Sequence, residues 1–422
     1  MPSNIVLITT AFPSSSVTEE VFVTPELEAL AREFDRVIIV PLMSRGAIID
    51  IDIPGVTVDY GIARHIFTRF KPSKLPYLLA PYTLGKIGRI IKESDSAGQF
   101  VSKCFFCMNV ASLRGLFKKL AKRHGLLPED TVYYTFWFDH ATTALAEMSR
   151  DFPLTFVSRA HGYDVYDLAY GRNRVRFLRD FTLSRITSLY PVARKGMEYL
   201  DRLYPGHRDK MNVRLLGSVK PDKSFITRCH DAGDDTVTIL SVARVSPEKR
   251  VLLNLDFVKS LALMYPDKRI EWIHVGDGPL MNELRDRCSA DRLPANLKID
   301  LKGSLPNAEI HDIYKENTID WTLLLSESEG TPITICESFS YGVPVIATRV
   351  GGVPDMIDAG SGVLVDADMP VSEMAEAICP YISSHDSYLK LKAGAFSRWL
   401  DNYDSASLRQ KFAKELASLL NN

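Results

Sequence analysis

Short, mostly unbroken apolar runs recur along this chain, and helical patterns fill the spaces between them. Ile5-Val-Leu-Ile8, Val37-Ile-Ile-Val40 and Trp321-Thr-Leu-Leu-Leu325 do not alternate apolar with polar residues. A strand with one wet face alternates. An unbroken run belongs to a parallel strand covered by helices on both faces. The candidate strands are Asn4–Thr9, Arg36–Val40, Thr131–Thr135, Leu154–Ser158, Ile186–Tyr190, Thr236–Val242, Ile270–Val275, Leu297–Leu301, Ile319–Leu325 and Pro344–Ala347. Helical spacing appears at Pro25–Phe34, Val251–Met264 and Asn307–Tyr314. Strand–helix alternation over the whole length predicts doubly wound α/β structure. The pattern pauses at Gly217–Asp235, a polar stretch rich in Gly, Pro and Asp. The expected division is therefore two α/β domains, 1–217 and 218–400.

Composition narrows the class. Of 422 residues, 46% are apolar and 51 Lys+Arg face 52 Asp+Glu, which excludes disordered, collagen-like and disulfide-framework chains. The six cysteines (104, 107, 229, 288, 336, 379) sit mostly in apolar runs. They read as core thiols of a reduced, cytosolic protein, and Cys104-x-x-Cys107 has no second pair to make a zinc site. The opening MPSNIVLITT lacks a basic start, so no signal peptide is expected, and no apolar run long enough for a membrane span stands out.

Four features of the second half follow predicted strands, where open α/β sheets bind ligands. After Thr236–Val242, Arg244 and Lys249 place two cations on one loop leading into a helix. They suit a pyrophosphate whose charge grows as a bond breaks, and equally suit a solvated loop. Val275-Gly-Asp-Gly-Pro-Leu280 permits either a tight turn or close backbone approach to a ligand, through Gly276 and Gly278. Gly303-Ser-Leu-Pro-Asn-Ala-Glu309 exposes backbone, at Ser304 and Leu305, that could meet a flat base. Finally, Glu329 and Glu337 are eight apart in Ser326-Glu-Ser-Glu-Gly-Thr-Pro-Ile-Thr-Ile-Cys-Glu337, ahead of Tyr341-Gly-Val-Pro and Gly351-Gly-Val-Pro-Asp355. A helix opening near Pro332 would turn its free N–H groups toward Glu329, suiting an anionic or hydroxyl-rich ligand. The plainer alternative is a helix-capping Glu329 and a partnered surface Glu337.

In this order, the four features resemble the donor half of the retaining glycosyltransferases of family 4, the group 1 enzymes with the GT-B fold and an E-x7-E motif. The resemblance is specific over 236–365. It implies that Arg244 and Lys249 hold a donor diphosphate and that Glu337 binds the ribose hydroxyls. Glu329 and the backbone of Gly330, Thr331, Pro332 and Ile333 would grip the transferred sugar. Gly276, Gly278, Ser304 and Leu305 would complete the donor site. It also implies a crossing helix, which Asp404–Leu420 fits, so that 401–422 would complete the first domain. In the first half, Ser158-Arg-Ala-His-Gly-Tyr-Asp164 matches the family's His-Gly-x-Asp, which makes His161 a reaction-zone residue. One departure stands out. The family commonly carries Gly-Gly near the diphosphate after its first strand, whereas Thr9–Glu20 here has no glycine, and its Ser and Thr hydroxyls and backbone could substitute there.

The expected function is a retaining hexosyl transfer from a nucleotide sugar, a UDP-sugar by family frequency, to a hydroxyl acceptor. Arg244 and Lys249 would supply the charge that Mg²⁺ gives elsewhere, so neither metal nor cofactor is expected. Asp50-Ile-Asp52 and Asp366-Ala-Asp368 read as turn acids, not metal ligands. The alternatives are a GT-B epimerase or phosphorylase-like enzyme, or a transferase with a soluble acceptor. Between Arg64 and His124, thirteen Lys+Arg face only Glu93 and Asp95, giving +11 in a chain whose net charge is −1. Such a field seeks an anionic partner. No RNA-binding signature accompanies it, so nucleic acid is not expected. Two segments there read as amphipathic helices. One has Leu84, Ile87 and Ile91 on one face, the other Leu113, Leu116, Phe117 and Leu120 beside Lys118, Lys119, Lys122 and Arg123. The expectation is peripheral attachment to an anionic, cytosolic membrane face and a lipid-linked acceptor.

Overall fold

The structure is a computed structural model that describes residues 3–14, 19–44, 47–63, 75–166, 177–226, 234–290 and 293–421. Arg64, Arg69, Lys71, Lys74 and Cys229 lie outside them. The chain forms two compact units, Met1–Leu216 with Ser407–Asn422, and Gly217–Ala406. The division at 216/217 lies one residue from the expected 217/218, and the second unit runs six residues past the expected 400.

The first unit is built on β1 (Asn4–Thr9), β2 (Arg36–Pro41), β3 (Val56–Val58), β4 (Thr131–Thr135), β5 (Thr155–Ala160) and β6 (Ser188–Pro191). All pair in parallel, in the order β3-β2-β1-β4-β5-β6. The second unit repeats the design with β7 (Thr236–Val242), β8 (Arg269–Val275), β9 (Leu297–Gly303), β10 (Trp321–Leu324), β11 (Val345–Thr348) and β12 (Gly362–Val365), ordered β12-β11-β10-β7-β8-β9. Each is the doubly wound Rossmann order, reversing direction between its first and fourth strands.

The unbroken apolar runs divide between two cores, as their pleat requires. In β1, Val6 and Ile8 join Phe117, Leu145 and Phe156 on one face. Ile5 and Leu7 join Leu27, Leu30 and Phe412 on the other. The helix Ser405–Ser418 supplies Phe412, Ala413 and Leu416 to that second core. The Arg159 guanidinium, 2% exposed, lies over the Phe412 ring at 4.1 Å. It donates to Glu26 Oε2 and to the Tyr134 hydroxyl, each at 2.8 Å. A buried cation is tolerable only when its donors are matched in this way. Arg214 adds a two-pronged pair to Glu415 at 2.6 and 2.8 Å.

Several expectations shift. The helix expected at Pro25–Phe34 spans Glu19–Glu33 and carries Pro25 inside it, so the proline does not mark its start. In Ile87–Lys92 the buried side chain is Ile90, while Leu84 and Ile91 are 50% and 61% exposed and Ile87 is half-buried. The anticipated apolar face is therefore turned largely outward. In the 28-residue helix Ala97–His124, Leu113, Phe117 and Leu120 do pack into the core. That helix is long and apolar enough to cross a membrane by length and composition, with 44% of its apolar window buried in the unit. Cys104 and Cys107 are free and buried beside Ile90 and Phe177, and burial pushes the Cys107 thiol up to about 12.

Truncating Phe412 to Ala should lower the stability of the first unit by about 3–5 kcal/mol, because a filled core site empties. Urea unfolding of the full chain, followed by circular dichroism, checks this.

Candidate functional site

In the second unit the four loop motifs assemble at the carboxyl ends of β7–β10, around the reversal between β7 and β10. The loop after β7 carries Arg244, exposed and with no ion pair among the described residues, and Lys249, partly buried. Lys249 Nζ donates to Glu329 Oε1 at 2.6 Å, and Ser326 Oγ donates to the same oxygen at 2.6 Å. The Glu327 N–H joins the two loops through the Glu248 carbonyl at 2.8 Å. Glu329, 9% exposed, is thus held by a cation and a hydroxyl at the mouth of the sheet.

The glycines explain how these loops come so close. A side chain at Gly276, whose φ is +144°, would place Cβ 1.8 Å from the Ala243 carbonyl oxygen. At Gly278 it would stand 2.4 Å from the Val245 oxygen. The close backbone approach foreseen for this turn is therefore made to the Arg244 loop itself. The Gly276 N–H also donates to the Gly303 carbonyl at 2.8 Å, which brings exposed Ser304 and half-buried Leu305 alongside. On the opposite side, a Cβ at Gly352 would stand 2.1 Å from the Gly330 oxygen, so the Gly-Gly-Val-Pro-Asp loop backs the Gly330 segment. Gly330 itself has open space where a Cβ would point.

The helix expected near Pro332 spans Ile333–Ser340 with Pro332 as its N-cap. No side chain caps it, which leaves its first N–H groups without a side-chain acceptor. Thr331 and Pro332 are half-buried, and Ile333 is 45% exposed. Glu337 is not the surface acid of the plainer reading. It is 4% exposed, and its Oε1 accepts from Asn307 Nδ2 at 2.7 Å. Nothing in the spacing of Asn307 singled it out as that partner. Among the described residues no three His, Cys, Asp or Glu side chains form a group that could hold a metal ion.

His161 belongs to the first unit, just past β5. Its ring lies 4.7 Å from both the Phe136 and Trp137 rings. Neither ring nitrogen has a hydrogen-bond partner among the described residues, although the residue is 9% exposed. Burial, with the Arg159 charge second, pushes its pKa down to about 3, so the imidazole is neutral. The following helical turn is pinned by Asp164, which accepts the N–H groups of His161 and Phe138. Burial raises the Asp164 carboxyl to about 7 against those two donors and nearby Arg179. A buried neutral imidazole with two unsatisfied nitrogens can donate to or accept from a hydroxyl-bearing ligand. Trp137, which walls it, was not anticipated, although its place directly after β4 in Thr135-Phe-Trp-Phe-Asp-His140 was a visible signal.

Comparison with known proteins bears on the fold and on the second unit. The Anabaena HepE structure solved with UDP superposes with a TM-score of 0.61 at 16% identity, covering 98% of this chain and 100% of that one. The fold is that of the GT-B glycosyltransferases. Residues 222–398 match the family described as glycosyl transferases group 1. Sulfoquinovosyl transferase SQD2 of Arabidopsis thaliana is 32% identical over 119 residues, 28% of this chain and 21% of that one. Amylovoran biosynthesis glycosyltransferase AmsK of Erwinia amylovora is 27% identical over 154 residues, 36% of each. The chain thus spans less than half the length of these two relatives.

The neutral state of His161 has a pH signature. With its folded pKa depressed, its contribution to stability is present in full above about pH 6.5. It is lost as the pH falls from there toward 3, where only the unfolded chain takes up the proton. Replacing His161 by Phe should remove up to about 1.4 kcal/mol per pH unit from the slope of stability between pH 4 and 6. Urea unfolding of both proteins across that range checks it.

Proposed function

We propose that this protein transfers a hexosyl unit from a nucleotide sugar to a hydroxyl acceptor with retention of configuration and without a metal. The observation that carries this reading is the cluster of Arg244, Lys249 and Glu329 at the β7/β10 reversal, inside the segment matching the group 1 family. As the anomeric bond to the diphosphate loosens, negative charge collects on the leaving group. Arg244, which has no competing ion pair among the described residues, and Lys249, which can turn from Glu329, meet it. Glu329 and the Gly330–Ile333 backbone hold the sugar, and Glu337, buried and oriented by Asn307, binds the ribose hydroxyls. Gly276, Gly278, Ser304 and Leu305 line the base side. The family resemblance gives His161, in the first unit, a part in the reaction, and front-face attack, with the leaving phosphate accepting the acceptor's proton, completes the step. The HepE complex with UDP supports a UDP-sugar as donor.

A panel of nucleotide sugars tests the reading by hydrolysis and by transfer to simple alcohols, with product configuration followed by NMR. Turnover of one donor, undiminished by EDTA and giving the retained anomer, is expected. Inversion, or a strict need for Mg²⁺, would sink the mechanism. Glu337→Ala should keep its fold yet bind UDP roughly ten- to hundred-fold more weakly in calorimetry, the cost of one charged hydrogen bond.

The acceptor in this proposal is a lipid-linked glycan intermediate of surface polysaccharide synthesis, met at an anionic cytosolic membrane face. AmsK, named for amylovoran biosynthesis, supports the polysaccharide part. The cations available for lipid differ from those the charge count suggested. Lys118 pairs with Asp151 at 2.6 Å and Arg123 with Asp59 at 2.7 Å, whereas Lys119 and Lys122 are exposed. Exposed Leu84 and Ile91 could add apolar contact. Changing Lys119 and Lys122 to Ser should weaken vesicle binding by about 2 kcal/mol, at about 1 kcal/mol per cation. Sedimentation with anionic vesicles at graded salt reads this out. Undiminished binding, or none by the parent, would favour a soluble acceptor.

A further inference from the structure

The loop after β1, which lacks the glycines of the related family, is closed by a carboxylate that no motif pointed to. Glu19 opens the helix Glu19–Glu33 and is 2% exposed. Its Oε1 accepts from the Thr10 N–H at 2.7 Å and from Trp137 Nε1 at 2.5 Å. Its Oε2 accepts from the Ala11 and Phe12 N–H groups at 2.9 and 3.0 Å. Four donors therefore converge on one carboxylate, which has no ion pair among the described residues. Three successive backbone N–H groups directed at one point form a concave anion site, the kind of nest that elsewhere takes phosphate. Here the chain fills it with its own anion. Trp137, tied to the same carboxylate, lies 4.7 Å ring to ring from His161.

We propose that Glu19 is an internal anion seated in the nest of residues 10–12, and that it acts as a positioning residue. It fixes Trp137 against His161 and withholds this loop from the phosphates of any ligand. The nest itself stands on the geometry alone. The positioning role rests on the reading of His161 given above. Carboxylate and indole are coupled through a single hydrogen bond, so loss of either partner frees the other. The donor diphosphate is then left to the cations of the second unit.

Two measurements on the full chain test this, and they fail independently. In thermal unfolding, Glu19→Ala should melt lower than the parent and regain part of the loss with formate, saturably and beyond a chloride control, while the parent does not respond. No formate response by the variant would overturn the internal-anion assignment. If Glu19→Ala does not fold, Glu19→Gln takes its place in a second form of the test. Its amide cannot accept all four donors, so the tryptophan emission should shift, and unchanged emission would overturn the assignment. In kinetics, Glu19→Gln and Trp137→Phe should each lower kcat on the order of ten- to hundred-fold while UDP affinity stays at the parent value. A fall in UDP affinity matching the fall in kcat would overturn the proposal, because this loop would then be touching donor phosphate. A parent that turns over no nucleotide sugar would instead refute the functional reading and leave the formate test to judge the nest.

Discussion

Parallel pairing requires every strand to be followed by a crossover before its neighbour can form, and those crossovers cannot all lie on one face. Where the winding reverses, two successive loops leave the sheet in opposite directions and a crevice opens between them. Here that happens twice, between β1 and β4 and between β7 and β10. Arg244, Lys249, Glu329 and His161 all stand on loops or strand ends at the carboxyl edge of one of the two sheets, with Glu337 in the helix that follows. The polar chemistry follows from a backbone constraint that apolar side chains impose.

At the second reversal, the two glycine contacts to neighbouring carbonyls, Gly276 on Ala243 and Gly352 on Gly330, press loops from different strands together. Loops joined backbone to backbone hold Arg244 and Glu329 with fewer side-chain rotamers to order. That is the form preorganisation takes in a site built on loops. At the first reversal the same end is reached differently, with tilted aromatic rings packed around a neutral imidazole and carboxylates satisfied by backbone N–H groups.

Most of the fold was legible because unbroken apolar runs have few other uses. All ten anticipated strands appear, five of them, β1, β2, β4, β7 and β9, with the same first residue. The two that were missed, β3 and β12, are the short partners at one edge of each sheet. They span three and four residues and are held by a single neighbour, too short for a period to register. The first turns of the helix Glu19–Glu33 went unread because Pro25 looked like a beginning. Local spacing also misjudged the face of Ile87–Lys92, since burial there is decided by the helix at Ala97–His124, which the local pattern does not reveal. The candidate site was legible as motifs but not as partnerships. Nothing local to Glu337 points to Asn307, nothing near Lys118 to Asp151, and nothing near Glu19 to Trp137, 118 residues away. Such pairs are made by topology, which brings together residues that sequence distance hides.

The first unit is discontinuous, and this imposes an order on events at the ribosome. Residues 405–418 are synthesised only after the whole second sheet, so Tyr134, Tyr190 and the Arg159 guanidinium wait for Phe412 while some 190 further residues emerge. During that interval the nascent first unit carries an uncovered apolar surface with a charge at its centre, while the second unit has every strand it needs to close. The half of the protein made first is therefore the half finished last. Its exposure to chaperones and to aggregation is set by the speed of translation through the second unit.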